Sequence, residues 1–175
     1  MKMVSINSIN GLTYYTFNPQ GGTSGGGIDA TATMRLRKSG GNYYLKYDDI
    51  VIAPQSGIPG STTTGSEVIL LKDNVAVGTT WTKSYDQVTS FTDPMFPTLT
   101  LSVTMTGSIE EKDITMTVEG EEYTNVIKSK IVNVTTMQGA PPSTGTVFYY
   151  FSKDVGPIKI DNAGQTSSLV GYTLN

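Results

Sequence analysis

Along residues 98–106, "TLTLSVTMT", apolar and polar side chains alternate without a break. Leu99, Leu101, Val103 and Met105 fall on one parity, and Thr98, Thr100, Ser102, Thr104 and Thr106 on the other. A period of two marks a strand with one buried face and one wet face, as in antiparallel sheets. "DITMTVE" (113–119) repeats the pattern with Ile114, Met116 and Val118, and "TATMRLR" (31–37) with Ala32, Met34 and Leu36. The same reading predicts strands at 12–17, 43–52, 67–72, 78–85, 124–136, 146–152, 156–160 and 168–173. Turn chemistry separates them. "KSGGN" (38–42) and "VEGEEY" (118–123) read as hairpins whose glycines supply positive φ, and "DPMFP" (93–97) forces a bend because proline cannot donate to a ladder. "QGGTSGGG" (20–27) and "QGAPPSTG" (138–145) read as flexible loops, and "APQSGIPGSTTTG" (53–65) as a further long connection. In 124–136 the parity slips: Val126, Lys128, Lys130, Val132 and Val134 oppose Ile127 and Ile131. A bulge near Ser129, or a helical turn through 123–127, reconciles the two sets.

One stretch breaks the alternation. In "VFYYFSKDVGPIKI" (147–160), Phe148 and Tyr150 point one way while Val147, Tyr149 and Phe151 point the other, so neither face is polar. Such a strand needs cover on both sides, and each aromatic ring can bury about 150–250 Å². It packs a core with one face and meets another layer, or a cavity, with the second. "VGTTWTKSYD" (77–86) has a related form, with Trp81, Lys83 and Tyr85 on one parity. Trp81 is the only tryptophan, and it reads either as a core plug or as the wall of a groove. Trp81, Tyr85, Phe148 and Tyr150 are therefore the candidate ligand-binding residues. Pro157, lacking a donor, suggests that its strand lies at a sheet edge.

Composition agrees with an all-β chain. Of 175 residues, 26 are threonine, and no Ala/Leu/Glu/Lys-rich stretch suits a helix. The expectation is one domain over 1–175: a single antiparallel β-barrel or strongly curved half-barrel-like sheet, or a sandwich, of about ten strands with little or no helix. The net charge of −3 gives no positive field for phosphates, and the Arg35–Arg37 pair reads as a solvated outer face, so nucleic acid is not an expected partner. No apolar run approaches the roughly 18 residues of a membrane helix. "MKMVSIN" has no hydrophobic segment behind its lysine, so an export signal, if there is one, is expected upstream.

The chemistry is narrowed by absence. Without cysteine or histidine there is no Ser-His-Asp or Cys-His nucleophile and no zinc site built on them. Phosphate-binding and dinucleotide fingerprints are missing, so no cofactor is expected. The carboxylates near Glu110 and those near Glu121 stand about 20 Å apart along a strand, too far for an acid/base pair. The expectation is a protein that is not an enzyme. Asp86, close in sequence to Trp81 and Tyr85, leaves a sugar site open.

The stretches "LKDNVAVGTTWTKSY" (71–85), "VTMTGSIEEKDITMTVEGEEYTNVIKSKI" (103–131) and "FYYFSKDVGPIKID" (148–161), in this order, resemble a group of uncharacterised exported bacterial β-proteins. These are common among Bacteroidetes lipoproteins and akin to the DUF3108-like group. The resemblance covers roughly the last 105 residues. It departs at Gly156-Pro157-Ile158, where the group has a leucine after the glycine. It implies a barrel-like or half-barrel fold and a periplasmic or outer-membrane location, tethered by a lipidated cysteine upstream of Met1. Three functions follow as expectations. The first is a non-catalytic envelope protein binding an amphipathic, lipid-like ligand or a partner protein in an aromatic-lined groove. The second is a structural or adhesive β-module of a surface assembly. The third is a carbohydrate-binding protein.

Overall fold

The computed structural model describes residues 3–24, 28–55 and 57–170. Among them are thirteen strands and no helix: β1 (Met3–Ile9), β2 (Leu12–Ser24), β3 (Ile28–Ser39), β4 (Asn42–Tyr47), β5 (Ile50–Ile52), β6 (Ser61–Thr63), β7 (Ser66–Lys72), β8 (Thr80–Phe91), β9 (Leu99–Val118), β10 (Glu121–Met137), β11 (Ser143–Ser152), β12 (Gly156–Asn162) and β13 (Gln165–Ser168). All pairings are antiparallel. They form a five-stranded sheet in the order β1-β2-β3-β4-β7 and a strongly curled eight-stranded half-barrel in the order β5-β6-β8-β9-β10-β11-β12-β13.

The sheets fork from β3. Its C-terminal half pairs with β4, while Thr31 near its start pairs with Val51 of β5. The chain between β4 and β5 steps out of one layer and into the other at Asp48–Asp49. The predicted strand 43–52 is thus split in two. Beyond the fork the layers face each other across the main core. Met34, Leu45, Val68 and Leu70 from the flat sheet meet Trp81, Met105, Ile109, Ile131 and Phe151 from the half-barrel.

The alternating stretches fall where the pattern places them. Val103 and Met105 are buried and Thr104 between them lies on the outer face, whereas Leu99, at the start of the strand, is exposed. However, the segments 98–106 and 113–119 belong to one strand. β9 runs unbroken through "GSIEEKD", because register shifts against β10 absorb the change of parity there. Asp113 and Asn125, at φ 56° and 52°, sit at these bulges, which lie close to the one expected near Ser129. The shifts turn Ile114, Met116 and Val118 onto the far side of the half-barrel, where they form a second cluster with Tyr123, Val126 and Ile158. β11 is therefore covered on both faces. Phe151 and Tyr149 enter the main core, whereas Tyr150 packs on the second cluster. Burial pushes the Tyr149 hydroxyl well above its usual range.

Several expectations change. Residues 20–24 extend β2 and pair with 28–32 of β3, so they form a ribbon instead of a loop, and 25–27 lie outside the described residues. The connection expected over 138–145 ends at Pro142, since β11 begins at Ser143. β12 is not an edge strand: β13 pairs with it over Lys159–Asn162, and Pro157 lies just before that stretch. Half of the strand expected at 168–173, residues 171–173, lies outside the described residues, and β13 ends at Ser168.

The Arg35–Arg37 face is not solvated. The Arg37 side chain keeps only 10% of its accessible surface. Its guanidinium lies 3.5 Å from the Tyr44 ring centroid and donates to both carboxylate oxygens of Glu67 at 2.8 Å. The Tyr14 hydroxyl donates to the same carboxylate at 2.7 Å. The Arg37 hydrogen bonds hold the Glu67 carboxyl below its ordinary value, against a smaller opposing effect of burial. Arg35 pairs with Asp48, which Lys46 also approaches at 3.3 Å.

Candidate functional site

The half-barrel is incomplete beside β8. β6 covers only Thr89–Phe91, and Thr64 then bonds to Val88 through its amide and its hydroxyl before the chain leaves for β7 in the other sheet. In an antiparallel pair the backbone groups point alternately toward and away from the partner. Val88 points toward β6, so Asp86, Ser84 and Thr82 point the same way. Their outward amide and carbonyl groups have no backbone partner among the described residues.

Across the seam β7 also has an edge that none of the described strands covers, and side chains occupy it. The Trp81 indole Nε1 donates to the Ile69 carbonyl at 2.9 Å, and the Lys83 ammonium donates to the Glu67 carbonyl. Further along, the Lys112 ammonium donates to the carbonyls of Asp73 and Val75 at 2.9 and 3.1 Å. Trp81 can lie flat against its own sheet because its cross-strand partner is Gly107. A Cβ at Gly107 would overlap Cε2, Cζ2 and Nε1 of the indole. The seam is thus closed at depth by Trp81 and open above it. The result is a groove of about 340 Å³ floored by Ile69, Trp81 and Met105 and flanked by Tyr44, Glu67, Lys72 and Lys83. The Lys72 ammonium stands 5.7 Å from the Trp81 ring.

The four residues expected to form one site are separated. Trp81 lines the seam groove. Tyr85, four residues further along the same face, packs against the main core. Phe148 and Tyr150 lie on the opposite face of the half-barrel, with the Lys128 ammonium 5.3 and 5.9 Å from their rings. Asp86 faces outward and accepts a hydrogen bond from Ser102 at 2.7 Å, so it does not join Trp81 and Tyr85. Asp86 and the two aromatics are thus on opposite faces of β8. Tyr44, Ile69 and Met105 belong to the groove and were not singled out. Nothing in the sequence ties residue 69 to residue 81.

Two other spaces bound the choices. Between the layers, Leu36, Tyr47, Tyr149 and Ile160 help enclose a void of only about 50 Å³. Ligand pockets usually hold about 300–1,000 Å³, so this void is too small for an acyl chain. At the open end of the sandwich a polar cleft of about 350 Å³ lies between Tyr43, Asp113, Asn125 and Asp154. Its Lys38 and Asp73 are paired at 2.7 Å. None of the four expected residues lines it.

The chain matches no family model, no curated protein sequence and no solved structure.

Proposed function

We propose that this protein is a non-catalytic binding module whose seam groove receives an extended, amphipathic segment of a partner protein. The unpaired outward edge of β8 beside an apolar floor carries this reading. A lipid-like ligand would satisfy the floor alone. A strand laid along Thr82–Asp86 would satisfy the edge as well, with alternate side chains meeting Ile69 and Trp81. An envelope location with an upstream lipid anchor belongs to the proposal and rests on the resemblance of residues 71–161.

The single tryptophan makes the test direct. Peptides selected from a random displayed library should alternate apolar and polar residues and should shift Trp81 emission when titrated. Ser84→Pro removes one outward donor without touching the β9 ladder, so it should weaken such binding at least about tenfold, the equivalent of one or two lost backbone hydrogen bonds. Its thermal unfolding should stay close to that of the parent. Peptides that bind the Ser84→Pro variant equally well, or leave Trp81 emission unchanged, would count against the groove.

A further inference from the structure

The free edge of the five-stranded sheet carries a different message. β1 reads "MVSINSI", without a charge or a proline, and none of the described strands pairs with its outer side. Sheet edges are ordinarily blunted by charges, prolines or short length. Two other edges are blunted: Trp81 and Lys83 cap β7, and β13 has only four residues.

A row of apolar side chains runs across the sheet and off this edge. Ile6 is opposite Tyr15, Tyr15 opposite Leu36, Leu36 opposite Leu45, and Leu45 opposite Val68. Burial falls steadily along it: Val68 and Leu45 are 7% and 4% exposed, Tyr15 is 42% and Ile6 is 60%. The row ends in water with its most exposed member on the edge strand.

β1 is also self-complementary about Ile6. The Asn10-Gly11 turn closes on Ile9 and Leu12, which makes Ile9, Asn7 and Ser5 the residues bonded to β2. Ile6 and Ser8 then direct their backbone groups outward, while Val4 sits at the bulge between Met3 and Ser5, where the alternation is interrupted. If a second β1 runs antiparallel with Ile6 opposite Ile6, Val4 faces Ser8 and Ser5 faces Asn7. The Ile6 groups find their counterparts directly, and with the bulge at Val4 the ladder holds about two to four bonds. No like charges meet, and the apolar row continues through Tyr15–Ile6 into its two-fold copy.

We propose that the protein forms a two-fold symmetric dimer through β1, joining two five-stranded sheets into one of ten. The contact is isologous and closes on itself, so it does not propagate into fibres. It is independent of the seam groove, which lies at the opposite edge of the same sheet.

Sedimentation equilibrium of the full chain should give twice the monomer mass at micromolar concentration. Ile6→Lys places two ammonium groups face to face and should return the monomer mass with unchanged circular dichroism. The absence of native cysteines allows a test of register. A chain carrying Ser5→Cys mixed with one carrying Asn7→Cys should cross-link under mild oxidation, and Ser5→Cys alone should not. A monomeric wild type, a series of higher oligomers, or an Ile6→Lys variant that remains dimeric would each overturn the proposal.

Discussion

Trp81→Ala should lower the stability of this protein by about 3–5 kcal/mol, the range for removing a large aromatic from a packed site. The indole is only 9% exposed, bonds the Ile69 carbonyl, and is the main side chain joining β8 to β7, which no backbone bond connects. Gly107→Ala should reach part of the same result from the other side. The added methyl overlaps the indole, so Trp81 must leave its seat, at a cost of about 1–3 kcal/mol for overpacking. The two effects should not add. In a Trp81→Ala background, Gly107→Ala has nothing left to displace and should be close to neutral, giving a coupling energy of about 1–3 kcal/mol. Denaturant unfolding followed by circular dichroism measures all four proteins. Equal cost of Gly107→Ala in both backgrounds would mean that the indole does not lie on Gly107.

Arg37→Ala should be the next most damaging change, at about 2–3 kcal/mol. Loss of one partner from a fully buried ion pair costs about 3–5 kcal/mol, but the Glu67 side chain keeps 28% of its surface and is partly screened by water. The variant strands the Glu67 carboxylate and the Tyr14 hydroxyl that bonds it, and it uncovers the Tyr44 ring. The pair also carries a pH signature. Because the folded carboxyl of Glu67 is held below its unfolded value, its contribution is complete above the unfolded value. It is lost as pH falls through the lower, folded one. The stability difference between wild type and Glu67→Gln should therefore shrink on acidification from pH 5 downward and stay constant from pH 6 to 8. A difference that grows in acid would contradict the pairing.

The strands whose one face is buried were legible, because a period of two leaves no other way to hide Leu101, Val103 and Met105 together. The two-sided burial around Tyr149 and Tyr150 was legible for the same reason: neither parity offered a polar face. β1 was not read, although Asn10-Gly11 is a strong hairpin signal, because Val4 and Ile6 face solvent and make no contrast with the serines beside them. The run "GSIEEKD" concealed the continuity of β9. Its charges suggest a break, whereas bulges carry the strand through by passing Glu111 to Lys128 on the outer face, at 2.7 Å. The candidate site was least legible. Trp81 was singled out as an aromatic, but its seat depends on Gly107 and on the carbonyl of Ile69. Such pairings, 26 and 12 residues away along the chain, arise from how the sheets fork and leave no local pattern. Tyr85 packs against the main core beyond the groove, and Phe148 and Tyr150 lie on the far face of the half-barrel, because one groove cannot draw on both faces of a sheet.

Amide hydrogen exchange along β8, followed residue by residue by NMR, reaches the central claim most directly. With one edge on β9 and the other vacant, protection should alternate: slow exchange at Trp81, Lys83 and Tyr85, and fast exchange at Thr82, Ser84 and Asp86. Uniformly slow exchange through all six positions would mean that the berth beside β8 is already filled and that no groove awaits a partner.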